Sequence, residues 1–136
     1  MVGLVEYGLK PGLKRKARMV VSESHVASFI GSGSLRVLST PSMVGLMEKA
    51  SRLLADEYLP EGYTTVGVKV EISHVNPAPI GAKVVAIAEL EDVEGRRLRF
   101  KVKAYWKEKL IGEGYHERVI VDIERFLKKV EAMIKS

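Results

Sequence analysis

A chain of 136 residues and 15.1 kDa, 46% hydrophobic and 29% charged, has the length of one domain with a single core and the composition of an ordinary globular protein. Cysteine is absent, which excludes disulfides, thiolate metal sites and a cysteine nucleophile, and no apolar run approaches the ~20 residues that a membrane span needs. The net charge of +5 suits phosphate-bearing ligands and nucleic acid alike, so charge alone chooses neither.

No cleavable signal pattern follows Met1, and a cytoplasmic location with no membrane association is expected. Asn76 is the only amide side chain and Gln is absent, while Lys, Arg and Glu are plentiful, the compositional tendency of thermophile proteins.

Residues 1–12 carry Gly3, Gly8, Pro11 and Gly12 and read as a loosely held lead-in. Lys14 to Val21 alternates, with Ala17, Met19 and Val21 on one face and Lys14, Lys16 and Arg18 solvated on the other, as in a strand. Ser22 to Leu38 is rich in Ser and Gly. Its Gly31-Ser-Gly-Ser34 core lacks the lysine and hydroxyl of a phosphate loop, so a flexible loop is expected. Thr40 has the side chain of a helix N-cap and Pro41 suits the first helical position. From Pro41 to about Tyr58, Met43, Leu46, Met47, Ala50, Leu53 and Leu54 recur at three- and four-residue spacings and form one apolar stripe, ended by Pro60-Glu61-Gly62.

Tyr63 to Val75 predicts a strand with Val66, Val68, Val70 and Ile72 on one face, His74 continuing it, and Thr65, Gly67, Lys69 and Glu71 opposite. Asn76 to Gly81 turns the chain into Ala82 to Val93, apolar on both faces like an inner strand. After Glu94-Gly95, Leu98, Phe100, Val102, Ala104 and Trp106 alternate with polar residues. Leu110 to Val121 follows, and Asp122 caps a final helix bearing Ile123, Phe126, Leu127, Val130 and Ile134. Short links favour antiparallel neighbours, which gives an α+β layout: a strand, a long helix, a four-stranded meander and a closing helix, with the long helix on one sheet face.

Three residues stand out for chemistry. Thr40 is accounted for by capping, and a hydroxyl at a helix amino end also favours developing negative charge. Glu48 lies roughly 140° around the helix from Met43, off the buried stripe; it is a solvated side chain unless that face meets a partner subunit. His74 reads as a core or rim histidine and is also the best acid/base candidate, with an unperturbed pKa near 6.5. About 12 Å of helix rise separates Thr40 from Glu48, so a strand residue or a substrate has to bridge them. Gly67 marks a bulge or a close approach, or leaves space for a narrow ligand. Gly45 inside the helix predicts a close helix contact. His25, His74 and His116 have no metal-ligand spacing. Arg99, Lys101 and Lys103 lack interleaved aromatics apart from Tyr105 and read as a solvated sheet face rather than a nucleic-acid surface.

The segments Thr40-Pro-Ser-Met-Val-Gly-Leu-Met-Glu48, Ser73-His74, Val93-Glu-Gly-Arg-Arg97 and Ile111-Gly-Glu-Gly-Tyr-His-Glu-Arg118 resemble the fluoroacetyl-coenzyme A thioesterase family of the hot-dog superfamily. The likeness spans about Val37 to Val121. It implies one hot-dog domain over residues 1–136, an antiparallel five-stranded sheet wrapped around the long helix, and a homodimer binding acyl-CoA at the subunit interface. It implies catalytic roles for Thr40, Glu48 and His74. Gly67 would leave room for the thioester and Arg118 would meet phosphates of the substrate. The only cofactor moiety would be the CoA of the substrate itself, with no metal. Whether Thr40 is the nucleophile or Glu48 activates water stays open, as does a non-catalytic acyl-CoA-binding module. Members specialised for the fluorinated substrate carry an aromatic-rich segment before the helix; Ser28 to Ser34 here holds only Phe29, so the resemblance points to thioester hydrolysis in general.

Overall fold

A computed structural model describes residues 8–136. In chain order they form β1 (Lys14–Val20), a 3-10 turn (Glu23–His25), α1 (Ala27–Ile30), α2 (Thr40–Asp56), β2 (Tyr63–His74), β3 (Lys83–Glu94), β4 (Arg97–Trp106), β5 (Lys109–Asp122) and α3 (Ile123–Lys135). The five strands make one antiparallel sheet in the order β1-β3-β4-β5-β2. The expected four-stranded meander is therefore a three-stranded one, β3-β4-β5. β2 pairs with β5 instead of β3, because residues 75–82 form a crossing link too long for a tight hairpin.

The α2 stripe is buried through Met43, Leu46, Met47, Ala50 and Leu54 as its spacing predicts, with Ala55 joining it and Leu53 of the expected stripe only partly buried. It packs on a sheet face lined by small residues at Ala86, Ala88 and Ala104 and large ones at Leu90, Leu98 and Phe100, all 0% exposed. Each large side chain removed from water contributes about 1.5–3 kcal/mol. Glycines on β5 set the spacing. A Cβ on Gly112 would lie 2.5 Å from Met43 Sδ, and one on Gly114 would collide with the Glu71 carbonyl oxygen. The first lets the helix down onto the sheet; the second lets β2 approach β5.

Of the expected lead-in, residues 1–7 lie outside the described residues. Residues 8–12 are docked: Leu9 is 1% exposed and the Gly12 amide donates to the Leu90 carbonyl at 2.8 Å. The Ser22–Leu38 loop is likewise stitched at its base, where buried Val26 bridges Leu38 and Val37 bridges Pro79, while Phe29 and Leu35 at its tip stay exposed.

The face assignment of β2 needs correction. A register shift between Gly67 and Lys69 leaves Val68 unpaired, so Thr65 and Gly67 share the helix-facing side with Val70, Ile72 and His74, while Val66 turns outward opposite Val119. Val68 and Val70 remain about half exposed because β2 is an edge strand. Gly45 is also corrected: apart from its chain neighbours and its own helix backbone, no described atom lies within 4 Å of a Cβ built there, so no other element packs closely on it. At the other end, Asp122 caps α3 by accepting from the Arg125 amide at 3.1 Å, and no α3 residue is buried. No helix among the described residues is long and apolar enough to cross a membrane.

Candidate active site

The cap of α2 is Ser39, one residue earlier than expected: its buried side chain accepts from the Ser42 amide at 3.1 Å, Thr40 is the first helical residue and Pro41 follows. Capping by Ser39 frees the Thr40 hydroxyl. That hydroxyl lies 2.8 Å from His74 Nδ1. Backbone stitching brings the two together. The Leu38 amide donates to the Ala78 carbonyl at 2.8 Å, tying the approach to α2 against the link beyond β2. The Val75 and Asn76 amides both donate to the Ile111 carbonyl, and the Asn76 side chain donates to the Leu110 carbonyl at 2.7 Å. The single amide side chain of the protein thus pins the end of the strand that carries His74.

His74 Nε2 is buried without a hydrogen-bond partner. Burial holds the pKa of His74 below the ordinary 6.5, with the Asn76 backbone acting in the opposite direction. The imidazole is therefore neutral at pH 7 and able to take a proton. An open cleft of about 250 Å³ runs beside it, lined by Val37, Leu38, Val75, Asn76 and Pro77.

Two turns along α2, Glu48 Oε2 lies 3.8 Å from Arg118 Nη1. This contact lies within the same chain, and the Glu48 side chain stays 42% exposed, off the buried stripe as periodicity predicts. Arg118 is 6% exposed, donates through Nε to Thr65 Oγ1 at 2.7 Å and through Nη2 to the Thr65 carbonyl at 2.9 Å, and sits with Nη1 3.1 Å from His116 Nε2. Such a guanidinium orients a carboxylate; it is not at the surface where a phosphate would meet it, so the expected phosphate contact does not fit this placement. Gly67 closes the group. A Cβ there would meet Glu48 Oε2 at 3.1 Å, His116 Cε1 at 3.2 Å and Arg118 Nη1 at 3.4 Å.

The structure therefore brings Thr40 to His74 and Glu48 to Arg118 and Gly67, and leaves these two groups side by side along the helix without a direct hydrogen bond between them. Thr65 and His116 were missed as members of the site. For His116 the signal was present in the alternation of Gly112, Gly114, His116, Arg118 and Ile120, which puts His116 and Arg118 on the face of β5 turned to the helix; for Thr65 there was none, because its face follows from the β2 bulge. The basic sheet face is partly neutralised, since Arg99 donates at 3.0 Å to both Glu91 and Glu117 and stacks 4.2 Å from the Tyr115 ring.

One long helix packed on a five-stranded antiparallel sheet is a hot-dog arrangement, and the hydroxyl–imidazole pair sits at the amino end of that helix. A hot-dog-like protein from Thermanaerovibrio acidaminovorans superposes with a TM-score of 0.86 at 27% identity, covering 98% of this chain and 97% of the other. A thioesterase superfamily member from Thermus thermophilus gives 0.80 at 33%, covering 93% and 90%. The fluoroacetyl-CoA-specific thioesterase family matches residues 21–124. The fluoroacetyl-CoA thioesterase of Streptantibioticus cattleyicolor is 40% identical over 94 residues, 69% of this chain and 68% of that enzyme. The chain belongs to the fluoroacetyl-CoA-specific thioesterase family.

Proposed function

We propose that the protein hydrolyses the thioester of a small acyl-CoA, with Thr40, His74 and Glu48 as the catalytic residues and Gly67 leaving room for the thioester. The observation that carries this reading is the 2.8 Å contact between Thr40 Oγ1 and a neutral, half-buried His74 whose other nitrogen is unpartnered. Relatives support it: the family is a thioesterase family, and a variant of the fluoroacetyl-CoA enzyme with a TM-score of 0.86 to this chain is a complex with acetyl-CoA.

Two routes are open to these residues. In one, His74 takes a proton from water as its oxygen bonds to the thioester carbonyl carbon; the carbon–sulfur bond breaks and the imidazolium returns the proton to the CoA thiolate. In the other, His74 takes the Thr40 proton as the hydroxyl oxygen bonds to the carbonyl carbon, the carbon–sulfur bond breaks and the imidazolium protonates the CoA thiolate; water held at Glu48 then adds to the acyl-Thr40 ester, and a proton returns to Thr40 as the acid leaves. Both consume only water, and CoA enters solely as part of the substrate. The amino end of the 17-residue α2 favours the charge that develops on the carbonyl oxygen.

The active form in this reading is a cytoplasmic homodimer from a thermophilic source, without nucleic-acid or membrane partners. The dimer is supported by β2, an edge strand with half-exposed Val68 and Val70. Fluoroacetyl preference is not proposed, because Phe29, 68% exposed, is the only aromatic side chain in residues 28–34. The test is thiol release over a panel of short, branched and aromatic acyl-CoA substrates, with His74→Ala and Glu48→Ala. Turnover that both variants abolish supports the reading. Stoichiometric acyl-CoA binding without thiol release would replace it with a non-catalytic binding module, and intact turnover in both variants would remove the assigned residues.

A further inference from the structure

His116 lies at the middle of β5, 1% exposed, with the Phe100 ring of β4 at 6.5 Å and the bulge of β2 on its other side. Its two nitrogens face groups of fixed hydrogen-bonding sense. The Lys69 carbonyl at the bulge can only accept, so Nδ1 carries the proton and donates to it at 2.8 Å. The Arg118 guanidinium can only donate, so Nε2 is the lone pair that accepts from Nη1 at 3.1 Å. The tautomer follows from the neighbours alone.

Each of the three Arg118 nitrogens thereby has an acceptor: Thr65 Oγ1 for Nε, the Thr65 carbonyl for Nη2, and His116 for Nη1. Glu48 is held more loosely, by a 3.8 Å ion pair to Nη1 with its side chain 42% exposed. An apolar residue in place of His116 would leave a buried Nη1–H without an acceptor, and the guanidinium would turn to find one. We infer that His116 is a positioning residue for this site: its neutral imidazole clamps Arg118 between β2 and β5, and the placed Arg118 charge sets the direction in which the loosely held carboxylate of Glu48 is drawn. The inference rests on the thioesterase reading for its kinetic consequence and on the hydrogen-bond geometry for its structural one.

Protonation breaks the clamp, because an imidazolium sets N–H against N–H at Arg118. Burial, first, and the Arg118 charge hold the pKa of His116 below 6.5, against the Lys69 carbonyl and the more distant carboxylates of Glu48 and Glu117. The clamp is therefore closed at pH 7 and opens as the pH falls through that lowered value. Turnover should then carry an acid-side loss that belongs to His116 in addition to that of His74.

Two variants separate positioning from packing. His116→Gln places an amide oxygen where Nε2 stood and keeps the acceptor for Arg118; His116→Asn reaches only the Nδ1 position, keeping the donor to Lys69 and losing the acceptor. His116→Gln should keep kcat within about threefold of wild type and lose the His116 component of the pH profile. His116→Asn should lose about tenfold to hundredfold in kcat with KM changed less than about twofold, the cost of a misplaced carboxylate. Equal kcat in the two variants, high or low, overturns the inference. The readout independent of catalysis is the nitrogen-15 spectrum of wild-type imidazoles. A His116 protonated at Nδ1 and bare at Nε2 at pH 8 supports the clamp, and Nε2–H overturns it. If wild type releases no thiol from any acyl-CoA, the thioesterase reading falls and the spectrum alone decides the clamp.

Discussion

Replacing Gly67 with alanine separates the Glu48 pocket from the stability of the sheet. Gly67 is not among the residues with positive φ, so alanine suits the backbone. The added methyl group meets Glu48 Oε2 at 3.1 Å and His116 Cε1 at 3.2 Å, both tighter than ordinary contact, and Arg118 Nη1 at 3.4 Å, at its edge. His116 and Arg118 are buried and hydrogen-bonded, whereas the Glu48 side chain is 42% exposed and held by one long ion pair, so Glu48 is the group that gives way. Relief to normal contact moves it by about 0.4 Å. If a misplacement of one ångström costs about a hundredfold, this one costs about fivefold to tenfold in kcat. Stability should stay within about 1 kcal/mol, because the chain entropy removed by a Gly→Ala change offsets the local crowding. Thiol release and urea midpoints measure the two quantities on the same preparation. A variant of unchanged stability and unchanged kcat would show that the position of Glu48 does not govern turnover.

The shifted cap predicts a crossed pattern: Ser39→Ala lowers stability by about 1 kcal/mol, while Thr40→Val leaves stability nearly unchanged and lowers kcat by about a hundredfold or more. Thermal melts and turnover of the two variants check it, and the reverse pattern would restore Thr40 as the cap. The lowered pKa of His74 places the acid limb of kcat/KM below pH 6.5. The sign for stability is the same, since an unfolded histidine binds its proton first: the contribution is fully present above about pH 6.5 and is lost as the pH falls through the lowered folded value. Urea midpoints of wild type and His74→Asn across pH 5–8 should diverge on the acid side, and parallel curves would remove this assignment. Val70→Lys puts a charge on the half-exposed edge strand and should shift sedimentation from dimer to monomer; an unchanged dimer would move the interface off β2.

Much of the fold was legible because it rests on local periodicity. The α2 stripe from Met43 to Leu54, the buried alternation of Leu98, Phe100, Val102 and Ala104, and the Asp122 cap are where the residue pattern puts them. The misses share one cause. The bulge at Gly67 was legible as a glycine inside a strand, but the faces that Thr65 and Val66 take beside it, the pairing of β2 with β5 and the docking of Leu9 are decided by contacts between segments distant in sequence. No local window contains that information. The site divides likewise: Thr40, Glu48 and His74 stood out by residue type and position, whereas Thr65 and His116 acquire their significance only beside Arg118.

By itself, the amino-acid order determined that one long helix would lie against an antiparallel sheet, and that a hydroxyl, a carboxylate and an imidazole would sit at its ends and edges. Periodic burial of apolar side chains is enough for that. Only the tertiary structure decided that Ser39 caps α2 so that Thr40 is free for His74, that the β2 bulge turns Gly67 toward Glu48, and that Arg118 lies buried beneath that carboxylate. Each of these depends on where two backbones meet, and a hydrogen bond counts its partners in space.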